Sequence, residues 1–321
     1  MERLKILITG STGFVGANLA LHFSKIGHGV YSSMRRGSDA WRLSYLSNSN
    51  ILYMNVENRQ NVMENVRKVK PDVVIHTACY GGYPSEKNNY KMLNVNLNGT
   101  INIVDASISS NVPLVINTGS SSEYGKKSKP MKESDTINPE TDYGISKALS
   151  TIYCTFKGSH ETKILTLRLF SPYGYYERGS RLIPYMLLSC LRGSRIYLSS
   201  PSNVRDFIFI EDVINAYKLS ILKRNKISSG SVFNIGYGKQ YKIIDIVKIV
   251  SKVSGKLLEV NWHRTQNRSG DGVKIWQADI EKVNNILGWK PKTNIEDGIS
   301  KTFSWIKNNF GLYDNEQKKK N

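Results

Sequence analysis

The chain has 321 residues, 40% of them hydrophobic and 22% charged, a composition that is typical of a folded globular protein and argues against disorder. Its formal net charge is +19, but Lys and Arg are scattered without the aromatic-interleaved basic stripe of nucleic-acid binders, so we expect anionic small molecules rather than nucleic acid as partners. No apolar run approaches the roughly 20 residues needed to cross a bilayer, and no signal-peptide pattern precedes the first strand; we expect no membrane partner and a cytoplasmic location.

Short apolar runs alternate with segments of helix length in the first half of the chain. The runs predict strands at residues 4–9, 29–34, 51–55, 72–78, 114–118 and 164–170. Amphipathic segments between them, such as residues 14–26 and 90–109, predict helices. This alternation predicts an α/β fold with a doubly wound parallel (Rossmann) sheet, on which ligands bind beyond the carboxyl ends of the strands.

The alternation loosens after Phe170. Helices are predicted at residues 182–191, 213–222, 243–253, 280–287 and 295–308, and short strands at residues 195–198 and 204–209. We therefore expect a dinucleotide-binding domain over residues 1–170 and a smaller substrate lobe over residues 171–311, with segments that return to the first domain. Residues 312–321, which include three consecutive lysines, are expected to form a disordered basic tail.

Neither the cysteines nor the histidines have the spacing of a metal site. Cys79, Cys154 and Cys190 are odd in number and far apart, so we interpret them as reduced packing residues. The five histidines show no paired ligand spacing. No metal is expected.

Glycines follow the first strand at a spacing of three and three, as Gly10, Gly13 and Gly16. A dinucleotide pyrophosphate needs backbone amides at a helix N-terminus and no side chain where the phosphates approach. The predicted cofactor contacts of this loop are Gly10, Thr12, Gly13, Phe14, Val15 and Gly16. A glycine-rich turn that binds no ligand is the alternative.

Two arginines follow the second predicted strand, where the adenosine ribose of a dinucleotide would lie. An acidic residue there would accept bonds from the ribose 2′-hydroxyl, whereas the guanidinium groups of Arg35 and Arg36 match a 2′-phosphate. NADP(H) is favoured as the cofactor, with NAD(H) as the alternative if the two arginines only occupy a solvated loop.

Tyr143 and Lys147 are four residues apart, and on a helix they share one face. A phenol with a pKa near 10 exchanges protons poorly at neutral pH. A neighbouring ammonium lowers the pKa by favouring the phenolate. The pair therefore predicts a proton donor for hydride chemistry.

A serine-rich segment, residues 117–125, follows the strand predicted at residues 114–118. With this segment the chain resembles the extended short-chain dehydrogenase/reductases, the family of nucleotide-sugar epimerases, dehydratases and 4-ketoreductases, over residues 4–309. In that family the catalytic Ser or Thr stands five residues before the Gly of a Tyr-Gly pair, which implies Ser120 as the partner of Tyr143 and Lys147.

The resemblance implies further site residues. Asn96, in an Asn-x-x-Gly-Thr pattern, would brace the active-site backbone, and His76 would be structural rather than catalytic. Additional cofactor contacts are implied for Asn55, Val56, Thr77, Ala78, Asn96, Tyr143, Lys147 and Ser171. Substrate contacts are implied for Ser121, Ser122, Ser171, Arg205, Arg268 and Asp271. The two arginines among these would grip the nucleotide diphosphate, because each presents two donors to anionic oxygens.

Some positions depart from the family pattern. Sugar 4,6-dehydratases carry an Asp-Glu pair directly after the catalytic residue, where this chain has Ser121 and Ser122, so dehydration is disfavoured; Glu123, one position further on, is the residue that could replace the pair. Many members have Asn at the position of Ser171, and Asn55 replaces a usual Asp.

These residues predict an oxidoreductase that reduces a 4-keto sugar nucleotide with NADPH, Tyr143 giving the proton. A nucleotide-sugar 4-epimerase with tightly bound NAD is the alternative, and a redox-inactive dinucleotide-binding regulator is a more remote one. The resemblance also implies a homodimer, packed through helices near residues 90–109 and 141–156. The identity of the sugar and of the base stays open.

Overall fold

A computed structural model describes residues 2–44, 50–83, 85–158, 161–262 and 272–313. In chain order the strands are β1 (Lys5–Thr9), β2 (Gly29–Met34), β3 (Asn50–Tyr53), β4 (Val73–His76), β5 (Leu114–Ser120), β6 (Lys163–Leu169), β7 (Pro172–Tyr173), β8 (Ile196–Leu198), β9 (Val204–Asp206), β10 (Ile208–Phe209), β11 (Ser231–Ile235), β12 (Gln240–Lys242) and β13 (Val260–Trp262). The α-helices are α1 (Phe14–Lys25), α2 (Arg59–Val69), α3 (Asn89–Leu93), α4 (Gly99–Ser109), α5 (Asp142–Lys157), α6 (Leu182–Arg192), α7 (Ile210–Leu222), α8 (Ile243–Ser254), α9 (Glu281–Leu287) and α10 (Ile295–Asn308). A π-helical segment, Asn94–Asn98, joins α3 to α4.

Seven parallel strands form the central sheet in the order β11-β6-β5-β4-β1-β2-β3. Both faces are covered, since Ile6 and Ile8 of β1 pack into one hydrophobic cluster and Leu7 into another. Successive side chains of a strand point to opposite faces, so a strand covered on both sides must be apolar throughout. The predicted doubly wound α/β fold is confirmed.

The second half of the chain returns to this sheet through β11, which pairs with β6 and buries Phe233 and Ile235. No strand was predicted at this position. The remaining short strands form two-stranded pairs, β10 with β7, β12 with β9 and β13 with β8. The strand predicted at residues 204–209 is divided at Phe207 into β9 and β10, because β9 pairs with β12 whereas β10 pairs with β7.

The C-terminal segment is ordered further than the sequence predicted. Tyr313 is buried, and its hydroxyl donates to the carbonyl oxygen of Glu177 at 3.0 Å. The prediction of a disordered tail from residue 312 is therefore wrong for residues 312 and 313, because an aromatic side chain there packs beside Trp41 and Trp305. The rest of that tail, residues 314–321, lies outside the described residues. No helix in the described part of the chain is long and apolar enough to span a membrane.

The order of the strands reverses at β1, which has β2 on one side and β4 on the other. Loops leaving the two neighbouring strands β1 and β4 turn to opposite sides there, which opens a crevice at their carboxyl ends. The backbone is tight at this point: a Cβ added to Gly10, whose φ is 68°, would lie 2.6 Å from the backbone of Ala78. Only glycine fits this approach.

Candidate active site

A cavity of about 470 Å³ occupies this crevice. All six predicted residues of the glycine loop lie on its wall. Further predicted residues on the wall are Arg35, Asn55, Val56, Thr77, Ala78, Ser120, Ser121, Ser122, Tyr143, Ser171 and Arg205. Predicted residues that are far apart in the sequence, from Gly10 to Arg205, therefore line the same cavity.

The glycine loop provides a phosphate-sized cradle at the start of α1. Gly13 caps the helix without a side-chain hydrogen bond, and the first turn carries no acidic residue. A Cβ at Gly16 would lie 2.5 Å from the carbonyl oxygen of Gly10. Unpaired amides at a helix N-terminus and the positive end of its dipole attract an anion, so these residues fit a dinucleotide pyrophosphate.

Arg42, which the sequence did not single out, holds this loop in place. Its Nε donates to the carbonyl oxygen of Tyr176 at 2.7 Å, and its Nη1 donates to that of Thr12 at 3.1 Å. The side chain thus ties the glycine loop to the segment after β6. No local pattern around residue 42 signals either contact.

The two arginines after β2 differ in their surroundings. Arg35 lies on the cavity wall beside Ser33, Met34 and Ser38. Arg36 does not line the cavity, and its guanidinium carbon lies 4.8 Å from the centre of the Tyr53 ring. Of the two arginines predicted to contact the cofactor, the structure therefore places Arg35 on the cavity wall and Arg36 away from it.

Buried polar residues brace the loop that follows β4. His76 lies between the hydroxyls of Thr9 (2.7 Å) and Thr100 (3.1 Å), and burial lowers its pKa to about 3. Asn96 is fully buried, exchanging two 2.8 Å hydrogen bonds with the backbone of Tyr80 and donating a third to Ser146. Asn96 therefore does not reach the cavity: the cofactor contact predicted for it is replaced by bracing of the loop, the other role that the resemblance implied.

Helix α5 positions Tyr143. The hydroxyl of Thr141 accepts the N–H of Gly144 at 2.9 Å and begins the helix there. Tyr143 lines the cavity together with Ser120, the last residue of β5. Lys147 is buried one turn later and is not on the cavity wall. Tyr143 and Ser120 thus meet as predicted, with Lys147 behind them.

The pKa of the Tyr143 phenol is raised, first by burial and then by Cys79, while the neighbouring Ser120 side chain and the charge of Arg181 act in the opposite direction. The lowering expected from Lys147 does not outweigh burial. The phenol consequently stays protonated at neutral pH in this structure.

Glu123 does not replace the missing dehydratase pair. It is fully buried, off the cavity wall, and its Oε2 accepts the Nε–H of Arg168 at 2.7 Å. A carboxylate held in this way is not available to remove a proton from a ligand.

The far end of the cavity combines Arg205 with Trp276, a residue not predicted for the site. The Arg205 guanidinium lies 5.2 Å from the centre of the Trp276 ring, and the indole N–H donates to the hydroxyl of Ser121 at 3.2 Å. A second cavity of about 350 Å³ adjoins this end and shares Ser122, Tyr143 and Trp276 with the first. The predicted substrate residues Arg268 and Asp271 lie outside the described residues.

Asp206, next to Arg205 in the chain, and Asp212, seven residues after Arg205, hydrogen-bond backbone N–H groups and do not line the cavity. Asp206 accepts N–H groups of Tyr237, Gly238 and Ala278, and burial raises its pKa to about 7. Asp212 accepts two N–H groups from residues 292 and 293. Both carboxylates anchor the C-terminal half beside the cavity.

A further wall of the cavity comes from residues that the sequence did not indicate. Arg181 reaches across to the carbonyl oxygen of Gly82 (3.1 Å), and its Nε lies 3.5 Å from Oε1 of Glu177. Burial raises the pKa of Glu177 to about 7.

Ser171, also on the wall, has a φ of 27°, a conformation that Asn tolerates better than Ser.

The prediction that all three cysteines are packing residues is wrong for Cys79. Cys154 and Cys190 are buried, but Cys79 is exposed on the cavity wall, where loss of solvation raises the pKa of the thiol. Among the described residues, no group of three or more His, Cys, Asp or Glu side chains is arranged to hold a metal ion.

Known proteins share this architecture along the whole chain. Residues 6–236 match the NAD dependent epimerase/dehydratase family. A UDP-glucose 4-epimerase from Lactobacillus helveticus is 27% identical over 340 aligned positions, covering 98% of this chain and all of the relative.

Two solved structures have the same fold. A UDP-glucose 4-epimerase from Thermotoga maritima, solved with UDP-glucose, superposes with a TM-score of 0.86 at 24% identity, over 96% of this chain and 100% of that one. The Thermus thermophilus UDP-glucose 4-epimerase in complex with NAD gives 0.84 at 21% identity, over 95% and 99%. The family match covers most of the chain, and the glycine loop and the Ser120, Tyr143 and Lys147 side chains agree with it. The protein is therefore an enzyme of the NAD dependent epimerase/dehydratase family.

Proposed function

We propose that the protein reduces a 4-keto sugar nucleotide with NADPH. The observation that carries this proposal is Arg35 on the cavity wall at the end of β2, where a guanidinium suits a ribose 2′-phosphate. A cytosolic location, where cells keep this cofactor reduced, is part of the proposal.

In the reduction, a nicotinamide cofactor, when bound along the glycine loop, would supply the hydride that the keto carbon accepts. Tyr143 donates its proton to the oxygen on which negative charge develops, and Ser120 hydrogen-bonds the same oxygen. The phenol is protonated at neutral pH, as a proton donor must be, although burial raises its pKa and so makes it a weaker acid. Lys147, buried one helical turn from Tyr143 and off the cavity wall, is the residue that the resemblance to the family assigns to the nicotinamide ribose.

Substrate binding would use the other end of the cavity. Arg205, on the cavity wall, would bind the diphosphate, and the Trp276 ring beside it would provide a flat apolar surface for the sugar. Ser121 and Ser122, which replace a dehydratase acid-base pair, would contact the sugar without removing a proton. This division of the cavity supports reduction rather than dehydration.

The second candidate is a nucleotide-sugar C4 epimerase, favoured by the 27% identical UDP-glucose 4-epimerase that matches the whole chain. Epimerisation would use the same three side chains in both directions, with Tyr143 acting first as base and then as acid. Burial of the phenol makes the base step the harder one.

A homodimer is also proposed, through helix α5. Ile145, Leu149, Ile152 and Phe156 follow one another at intervals of four, three and four residues, and each is exposed. Residues at this spacing form a continuous apolar stripe along a helix. A second copy of the chain would cover the stripe through a self-complementary contact.

The two reactions are distinguished by following the near-ultraviolet absorbance of NADPH while the product is analysed by mass and chromatography. With a panel of 4-keto sugar nucleotides, steady loss of NADPH with formation of the 4-hydroxy product supports reduction. Conversion of a UDP-hexose into its C4 epimer with no net change in cofactor, by protein that is purified with NAD already bound, would replace the reductase proposal with the epimerase one.

A further inference from the structure

We propose that Glu123 and Arg168, an ion pair buried behind β5, are positioning residues that orient the Ser120 hydroxyl toward the reacting oxygen. The inference depends on the proposed function only in giving Ser120 a role in the reaction. It extends that role to two side chains that do not line the cavity.

The turn that carries Ser120 is held by two reciprocal hydrogen bonds. The Ser120 backbone N–H donates to Oε1 of Glu123 at 2.7 Å, and the Ser120 hydroxyl oxygen accepts the N–H of Ser122 at 3.1 Å. A serine hydroxyl has two acceptor positions but one proton. Because Ser122 occupies an acceptor position, the proton stays available for Tyr143 or for a substrate oxygen.

Glu123 can make this bond only because its charge is balanced. The carboxylate is fully buried, and its other oxygen accepts the Nε–H of Arg168 at 2.7 Å. Arg168 is also buried, with its guanidinium carbon 4.6 Å from the centre of the Tyr124 ring. A buried carboxylate without such a partner would be strongly destabilising.

The strand is shaped to receive the pair. Gly119 pairs with Arg168 across β5 and β6, and a Cβ at Gly119 would lie 2.7 Å from Oε1 of Glu123 and 3.1 Å from Cγ of Arg168. Any larger residue would push the carboxylate away from the N–H of Ser120. Gly119, Glu123 and Arg168 therefore form one unit directly behind the hydroxyl.

The charge of Glu123 also reaches Tyr143. It raises the pKa of the phenol, as does Cys79, whereas Arg181 lowers it. Removing the carboxylate charge is expected to lower the pKa of Tyr143.

Two double variants test the positioning role with the charges removed in both. The Glu123→Gln, Arg168→Met variant keeps an oxygen that can accept the N–H of Ser120. The Glu123→Leu, Arg168→Met variant removes this acceptor oxygen and keeps a side chain of similar volume at position 123. A neutral replacement of a buried ion pair is often tolerated, so both proteins are expected to fold, which circular dichroism and thermal unfolding check.

The expected result is a kcat about 10- to 100-fold lower in the Leu variant than in the Gln variant, the loss that a misplacement on the order of 1 Å brings, with KM values within about twofold. Equal kcat values for the two double variants would overturn the proposal, since a purely structural pair would change their stability and not separate their kcat values.

Amide hydrogen exchange of residues 119–123 provides a readout that needs no substrate. Faster exchange in the Leu variant than in the Gln variant is expected from loss of the Ser120 bond, and equal exchange would contradict it. If the wild-type protein reduces no keto sugar, the reductase proposal fails; kcat is then compared in the C4 epimerase assay, and the exchange comparison still decides whether the pair holds Ser120.

Discussion

Arg35→Ala is expected to remove the preference for NADPH over NADH, whereas Arg36→Ala is expected to leave it nearly unchanged. Arg35 lines the cavity, but Arg36 lies over the Tyr53 ring and off the cavity wall. The two variants lose the same charge one residue apart. They therefore separate direct phosphate binding from a general effect of positive charge.

The size of the expected change in cofactor preference follows from the kind of contact that Arg35 would make with a 2′-phosphate. A hydrogen bond to a charged group contributes about 1.5 to 3 kcal/mol, which corresponds to roughly a 10- to 150-fold change in affinity. Because Arg35 is an exposed side chain, water and salt weaken the contact, and we expect a value near tenfold.

The assay is calorimetric or fluorescence titration of each variant with NADPH and NADH at one fixed, moderate salt concentration. The ratio of the two dissociation constants is the quantity to compare, because it cancels effects on the shared part of the cofactor. If Arg35→Ala keeps the wild-type ratio, or if the wild type binds both cofactors equally, the assignment of Arg35 to a 2′-phosphate is refuted.

Three further predictions concern the proton donor, the diphosphate and the dimer. Tyr143→Phe should lower kcat by about 100- to 10,000-fold while NADPH binds with an unchanged dissociation constant; a near-normal kcat would show that another group is the acid. Arg205→Ala should raise KM for the sugar nucleotide far more than it lowers kcat, since it removes binding common to ground and transition states; an unchanged KM would argue against a diphosphate there. Ile152→Asp should convert a dimer to a monomer in light scattering coupled to gel filtration, because it places a charge in the exposed stripe of α5; a wild-type protein that is already monomeric would contradict the proposed interface.

Much of this protein could be predicted from short stretches of sequence, for a physical reason. The glycine spacing from Gly10 to Gly16 and the four-residue interval between Tyr143 and Lys147 each describe a geometry formed within one or two turns of backbone. The apolar runs of the parallel strands likewise mark their burial on both faces. Such local features identified the sheet, the cofactor loop and the Tyr143–Lys147 pair, whereas Ser120 was implied by the resemblance to the family.

The remaining parts of the site are set by contacts between distant segments, for which no local pattern exists. Arg42 meets Thr12 and Tyr176 across 30 and 134 residues, and Trp276 meets Ser121 across 155. Burial, not the neighbouring ammonium, governs the pKa of Tyr143, and burial is a property of the assembled cavity. The sequence by itself determined the fold and the identity of the catalytic candidates, whereas the tertiary structure decided which arginine lines the cavity, which residues enclose its far end and what holds Ser120, because each of these depends on segments that only the folded chain brings together.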